Sequence, residues 1–450
     1  MLTFQQHHQN QELINAFGFF CIDVLNEYVV KNDKQETPNL CKLFFHELVC
    51  FFTSTYICQI TKENNSEKAE LPYVNTTFVK DPKMHFSKNK TINTLSFLRF
   101  LFNLNFWSKK TVWIGSTLRR EEKKALIKHA FKFKFRFIKK NQIALNQSEI
   151  EEFYQLLKKV NQKLNLPLKQ DHLDCFFNYC MQFINSSKKT VHKKGILLSG
   201  TTTKIQSRIN ATKFLKHSQK VYSFGHGEAS IRLFDEPIFN YGEQWFCSTF
   251  IDYGQEKEDN LKSHPIIINR TSERIQSLRN TGTTETFKGK YLYVPTSLSS
   301  YKTYAPYRNF YDAYYIAWQK QLLDYLSKAN INFKLKAHPK TILDYDFLSQ
   351  ELIEKKILDQ CFKDYDGFIF DYVSTALAET LATKNNVFFF DIGNRKITKE
   401  ALIKIKQDTN YIKIDFNQDL QQQIAQNFDN SKSRSFSYID TFSTSRKTTK

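Results

Sequence analysis

A chain of 450 residues is longer than one hydrophobic core usually supports, so two domains of roughly 150 to 250 residues are expected. Apolar residues at 41%, with 42 Phe and 22 Tyr, exclude a disordered chain, and eight cysteines without C-x-x-C spacing exclude a disulfide scaffold or a zinc finger and suit a reducing cytosol. The net charge of +20 points to an anionic partner, with a Lys-, Asn- and Phe-rich composition as an equal alternative source of much of the excess, because the basic residues are spread rather than massed.

Met1 to Glu12 is polar and Gln-rich, so no signal peptide is expected there. The stretch to about Lys62 reads as helical, and its most apolar window, Leu43 to Ile60, carries His46 and Glu47 and fits a buried or interfacial helix better than a membrane span. Residues 63–93 read as a loop, and Asn93 to Trp107 as aromatic helix or core. Strands are expected at 111–116, 135–139, 195–200, 221–228 and 245–253, with helices at 119–131, 148–165, 171–186 and 203–217. This half reads as α/β with helical insertions. Residues 259–289 are polar and basic and read as an interdomain stretch.

A second α/β unit opens at Lys290 to Thr296, continues through a helix at 307–330, and delivers KLKAHPK, a strand that brings His338 to a turn which Pro339 keeps from becoming helix. Next, Phe368 to Phe370 read as a strand, Asp371 to Thr375 as a polar turn, Ala376 to Ala382 as a helix and Val387 to Phe390 as a buried strand. A helix at 398–406, a strand at 411–414 and a helix at 418–428 follow, and residues 431–450 read as a disordered basic tail. Two facing nucleotide-fold domains with ligand in the cleft between them are the expected architecture: 1–285, carrying the helical additions, and 286–430.

The candidate chemistry lies at strand ends. His338 beside Lys336 and Lys340 can bind a phosphate, or be a solvated strand-end histidine. Ser374 and Thr375 can be an ordinary N-cap or a phosphate contact, and Glu379 can reach ribose hydroxyls or simply face solvent. Asp371 is the better candidate for orienting the turn than for acting in the site. In the first half, His226 between Gly225 and Gly227 is the best candidate, because flanking glycines permit unusual backbone angles and close approach of a ligand, with a loop histidine without chemistry as the alternative. Glu228, Asp235, Glu236 and Glu243 are candidate general bases nearby. His85, His129, His172 and His192 are isolated, and no metal site is expected.

The pair AHPK and FDYVSTALAETLATKNNVFFFD resembles bacterial surface-polysaccharide transferases of the GT-B fold: the CDP-glycerol glycerophosphotransferases, the capsule Kdo transferases and polysialyltransferases, and a family of surface-carbohydrate transferases. The matching residues are His338, Pro339, Asp371, Tyr372, Ser374, Thr375 and Glu379, and SFGHGE with His226-Gly227 is similar to the acceptor-side His-Gly of those families. The pattern departs from them in having Phe224-Gly225 where Gln precedes the histidine, and in Val373, which intervenes before Ser374.

The resemblance implies a GT-B fold of two facing Rossmann-like domains. It implies a metal-independent transferase without a bound cofactor, using a CMP- or CDP-linked donor held by Lys336, His338, Ser374, Thr375 and Glu379. Transfer would be to a glycan or lipid-linked glycan acceptor in capsule or lipopolysaccharide assembly, with His226, Glu228 and His338 catalytic. A cytoplasmic location at the inner face of the membrane, with peripheral contact to anionic lipid, follows from the same likeness. Alternatives are a glycerophosphotransferase, a sugar-nucleotide epimerase of the same fold, or a non-enzymatic scaffold. A nucleic-acid-binding protein is disfavoured because the aromatics cluster in apolar runs instead of interleaving with Lys and Arg.

Overall fold

The computed structural model describes residues 4–31, 39–61, 111–115, 134–137, 142–166, 168–185, 194–200, 202, 204–225, 241, 244–253, 266–270, 272–279, 281–282, 289–298, 312–339, 341, 345–395 and 397–429. The expected loop at 63–93, the aromatic segment 93–107, the helix at 119–131, the tail 431–450, and His85, His129, His192 and Lys340 lie outside the described residues.

The chain opens with helices α1 (Phe4–Lys31), α2 (Leu40–Leu43) and α3 (Phe45–Thr61). Strands β1 (Thr111–Ile114) and β2 (Lys134–Phe137) lead to the short β3 (Ile143–Ala144), helices α4 (Gln147–Lys163) and α5 (Gln170–Met181), and β4 (Ile184–Asn185), which pairs with β3. Next come β5 (Ile196–Ser199), α6 (Ile205–Lys216), β6 (Val221–Phe224), β7 (Thr249–Tyr253) and β8 (Ile266–Arg270). Helix α4 starts where a capping box says it should: Asn146 accepts the amide of Glu149 at 2.9 Å, and the Glu149 carboxylate accepts the amide of Asn146 at 2.8 Å.

The second half runs α7 (Glu273–Leu278), β9 (Lys290–Tyr293), α8 (Asp312–Lys328), β10 (Asn332–Leu335), a 3-10 turn at Gln350–Leu352, α9 (Leu358–Cys361), β11 (Gly367–Phe370), α10 (Thr375–Leu381), β12 (Asn386–Asp391), α11 (Lys399–Asp408), β13 (Asn410–Lys413) and α12 (Leu420–Asp429).

Two parallel sheets carry the architecture. The first has the order β2-β1-β5-β6-β7-β8 and the second β10-β9-β11-β12-β13. In each, the chain lays its second strand outside the first and then winds the other way. The reversal falls between β1 and β5 in one sheet and between β9 and β11 in the other. Parallel strands need crossovers, and crossovers on both sides bury both faces of a sheet, so central strands become apolar throughout. Strand β11 shows this: all four of its residues are buried. Phe368 and Phe370 face a core with Leu377, Leu381 and Ile405, while Ile369 joins Trp318, Leu322 and Phe390 on the other side.

The stretch expected between the domains carries regular elements as it passes from the first sheet to the second half. Residues 266–270 form β8, the sixth strand of the first sheet, and 273–278 form α7, whose Ile275 and Leu278 lie in the second core. The β-branched run Ile266 to Ile268 is strand-forming, and it is hidden in composition only by its polar flanks. The connection continues onto the second half, where Lys384 donates to the Thr281 carbonyl at 2.9 Å, and Gly282 packs with positive φ against Asn385.

The N-terminal helices join both halves. Phe44, Phe45, Phe51 and Phe52 are buried in the first core with Phe153, Phe176 and Phe250, whereas Ile14 and Ile57 lie in the core on the Ile369 face of the second sheet, beside Tyr314 and Trp318. The window Leu43 to Ile60 is thus largely core, as expected. Among the described residues, one helix, His8–Val30 in α1, is long and apolar enough by length and composition to cross a membrane. A buried ion pair anchors α3: Arg208, with no exposed surface, pairs with Glu47, donates to the Leu43 carbonyl at 2.8 Å and to that of Thr202 at 3.2 Å, and lies against Tyr241.

Candidate functional site

Four loops leave the carboxyl ends of β9 to β12, and in an open α/β sheet the crevice beside the winding reversal is where ligands bind. The β9 loop, 294–298, is tied on three sides: Val294 donates to the Ile369 carbonyl at 2.9 Å, Thr296 to the Tyr315 hydroxyl at 3.0 Å and Leu298 to Thr341 Oγ1 at 3.3 Å. Thr341 in turn donates its amide to the His338 carbonyl at 2.9 Å, so the histidine turn and the β9 loop are braced together. Lys336 and His338 are half-buried in that turn.

Asp371 lies at the reversal, at the end of β11, and is 2% exposed. Its carboxylate accepts from the hydroxyls of Tyr293 and Tyr315, the latter at 2.7 Å, and from Trp318 Nε1 at 2.9 Å. Desolvation raises its pKa from 3.8 to about 6, against the lowering effect of those three donors. Tyr315 therefore stands between Asp371 and the Thr296 amide, and links the β9 loop to the β11 turn through one hydroxyl. Asp371 orients the turn, which agrees with its reading from sequence.

After Asp371 the chain passes Tyr372 and Val373 to Ser374, the N-cap of α10, whose Oγ accepts the Leu377 amide at 3.3 Å. The capping role is present, and Ser374 and Thr375 remain half-buried at the crevice end of the helix. Glu379 is engaged elsewhere: its carboxylate pairs with Arg274 of α7 at 3.2 Å, and Arg274 also pairs with Asp359. In this geometry Glu379 joins α10 to α7, which is a different use from contact with a ribose.

The structure also brings a residue to the crevice that the sequence reading did not single out. Arg395, in the loop after β12, donates Nη1 to the Val373 carbonyl at 3.0 Å and lays its guanidinium 4.0 Å from the centre of the Tyr372 ring. A half-buried cation thus leans on the turn that carries Ser374. Its neighbour Asn394 is 3% exposed. The available signal was positional, since Gly393-Asn394-Arg395 ends a buried strand in the same way that Asp371 to Ser374 does.

In the first half Gly225 closes β6, its amide donating to the Ile251 carbonyl at 3.0 Å. It does not adopt a positive φ, so the unusual backbone angle expected beside the histidine is absent at this glycine. His226, Gly227, Glu228, Asp235, Glu236 and Glu243 lie outside the described residues. His172 is described on α5, where burial and Lys169 lower its pKa. Among the described residues no group of three or more His, Cys, Asp or Glu side chains could hold a metal ion.

The described residues define an α/β protein of two parallel sheets, each with one winding reversal. In comparison with known proteins, the chain matches no family model, no curated sequence and no solved structure.

Proposed function

We propose that the chain is a GT-B-type glycosyltransferase of cell-surface polysaccharide assembly, binding a CMP- or CDP-linked donor in the crevice of the second sheet. The observation that carries this reading is that a half-buried histidine, a hydroxyl turn and an arginine follow the carboxyl ends of β10, β11 and β12 in one parallel sheet, with Arg395 bonded to the turn that carries Ser374. Phosphate carries only acceptors and negative charge. An arginine, a lysine, a histidine and hydroxyls are the groups that hold it, and they stabilise charge as it develops on a leaving phosphate. Here Lys336, His338, Ser374, Thr375 and Arg395 would hold the donor.

The attacking hydroxyl of the glycan acceptor needs a base, and the first half would supply it through His226 or Glu228. Direct displacement at the anomeric carbon would form the new C–O bond while the C–O bond to phosphate breaks, with the nucleotide leaving and the base taking the acceptor proton. The basic charge of +20 fits an enzyme working beside anionic lipid and phosphorylated substrates at the cytosolic face of a membrane.

The test is a thermal-shift panel of CMP, CDP, UDP and GDP on the wild type and on His338→Ala. A ligand that binds only the folded state raises the apparent midpoint by mass action. The wild type is expected to respond to a cytidine nucleotide, and His338→Ala to keep its unliganded midpoint while losing most of that response and all transfer. A variant that binds and turns over like the wild type refutes the assignment.

A further inference from the structure

Helices α1 and α3 pass from one half of the molecule to the other, and both are weakened where they cross. In α1, Ile14 lies in the core on the Ile369 face of the second sheet, and the His8 and Phe416 ring centres are 4.5 Å apart. Three residues on, Phe17 begins a run with Cys21, Val24 and Leu25 that lies in the first core. Gly18 stands at that boundary, in the interior of a helix of 28 residues. Its φ is not positive, and a Cβ built on it meets nothing within 4 Å, so neither backbone nor packing calls for glycine. Glycine in a helix interior weakens the helix relative to alanine through its backbone freedom.

Helix α3 makes the same crossing in the opposite direction. Phe51 and Phe52 lie in the first core and Ile57 in the core that holds Ile14. Between them come buried Thr53, Ser54 and Thr55, all of low helix propensity. Thr55 Oγ1 donates back to the Phe51 carbonyl at 2.9 Å, a bond that competes with the helix ladder and bends helices. Thr53 Oγ1 and Ser54 Oγ make no hydrogen bond, so the fold gains no polar contact from them. Phe17 of α1 stacks on Tyr56 of α3 with ring centres 4.1 Å apart, which sets the two weak stretches at one level of the helix pair. The later crossing of the chain between the halves is short, since β8 ends at Arg270 and α7 begins at Glu273.

We propose that α1 and α3 form a two-helix hinge between the halves, bending at Gly18 and at Thr53 to Thr55. Helices bend where glycine or a Ser/Thr back-bond loosens the ladder, and hinges concentrate the change in a few such residues. Bending both helices at one level turns the second half against the first without unpacking either core. The proposal stands whichever ligand the second half binds.

Spin labels on ketone side chains introduced at exposed Glu152 of α4 and Lys355 of the second half read the distance between the halves in the full chain, and a Glu152–Lys216 pair is the control within the first half. The wild-type distribution between the halves is expected to be wider than the control. Gly18→Ala combined with Ser54→Ala should narrow it toward the control width. Neither substitution removes a hydrogen bond and both raise helix propensity, so the thermal midpoint should hold or rise. Gly18→Ala is also made alone, because the space for its methyl group is open and its folding is not at risk. Amide exchange at residues 17–21 should be faster than in the turns on either side, and should slow in both variants. Asp23→Gly added to the double variant returns a glycine to α1 between Ile22 and Val24, where both flanks lie in the first core, and should leave the distribution narrow. A wild-type distribution as narrow as the control, a width that Gly18→Ala with Ser54→Ala does not change, or a width that Asp23→Gly restores, overturns the hinge.

Discussion

The substitution Asp371→Asn tests whether the crevice is organised by a buried ionisable group. The folded pKa of Asp371 is raised by burial from 3.8 to about 6, so between those values the folded state holds a proton that the unfolded state has released. Stability from this group is therefore present below about pH 4 and is lost as pH rises toward 6, at about 1.4 kcal/mol per pH unit and about 3 kcal/mol in all. His46 has the opposite sign: burial, and then Arg208, lower its pKa from 6.5 to about 3, so its contribution is present above 6.5 and is lost as pH falls toward 3. In the window they share, from about pH 4 to 6, the two slopes cancel in the wild type. A carboxamide in place of the acid does not titrate, which leaves the His46 slope uncompensated. Denaturant unfolding followed by circular dichroism at half-unit pH steps should show the D371N-minus-wild-type difference in stability climbing by about 1.4 kcal/mol per unit from pH 4 to 6. Superimposed on that slope is a constant loss, because an amide NH₂ meets the donors of Tyr293, Tyr315 and Trp318, and Trp318 cannot accept. Parallel profiles for the two proteins would refute the reading of Asp371 as a titrating latch, whatever the size of the constant offset.

Other consequences can be measured in the same way. Tyr315→Phe removes the hydroxyl shared by Asp371 and the Thr296 amide, and should cost about 2 to 4 kcal/mol because a buried charge and a buried N–H each lose a partner. A cost under about 1 kcal/mol by denaturant midpoint would show that the link does not hold the β9 loop. Glu47→Gln breaks the buried pair with Arg208 and should cost about 3 to 5 kcal/mol, while leaving cytidine binding to whatever protein remains folded unchanged. Glu379→Gln opens a partly exposed pair with Arg274 and should cost at most about 1 kcal/mol; a collapse of nucleotide binding in that variant would return Glu379 to the ligand. Ser374→Ala should cost about 1 kcal/mol as a lost cap, with any larger effect on ligand response measuring its second role.

The second half was legible in the sequence because its signals are local. Phe368 to Phe370 and Val387 to Phe390 are short apolar runs that can only be buried strands between polar turns, and His338-Pro339 marks a strand end through the conformational limits that proline sets. What was not legible depends on contacts far apart in the chain. Glu379 reads as a site residue on its own helix, and only the packing of α7, 105 positions earlier at Arg274, reveals its ion pair. The run Ile266 to Ile268 has strand-forming side chains, but its place as the sixth strand is decided by β7 beside it. Arg395 became visible once Val373 and Tyr372 were seen to hold it.

Asp371 illustrates why the reading of a strand-end polar residue divides as it does. A carboxylate at the winding reversal is close enough to a ligand to look catalytic, yet its three donors come from β9 and α8, which are inside the fold and already in place without a ligand. A group whose lone pairs are taken up by the core has little left to offer a substrate. Its effect passes outward through Tyr315 to the Thr296 amide, and so to the loop that lines the crevice. A buried polar side chain at a strand end whose lone pairs are met by the core acts on its surroundings through the groups that meet them, and here that group is the Tyr315 hydroxyl.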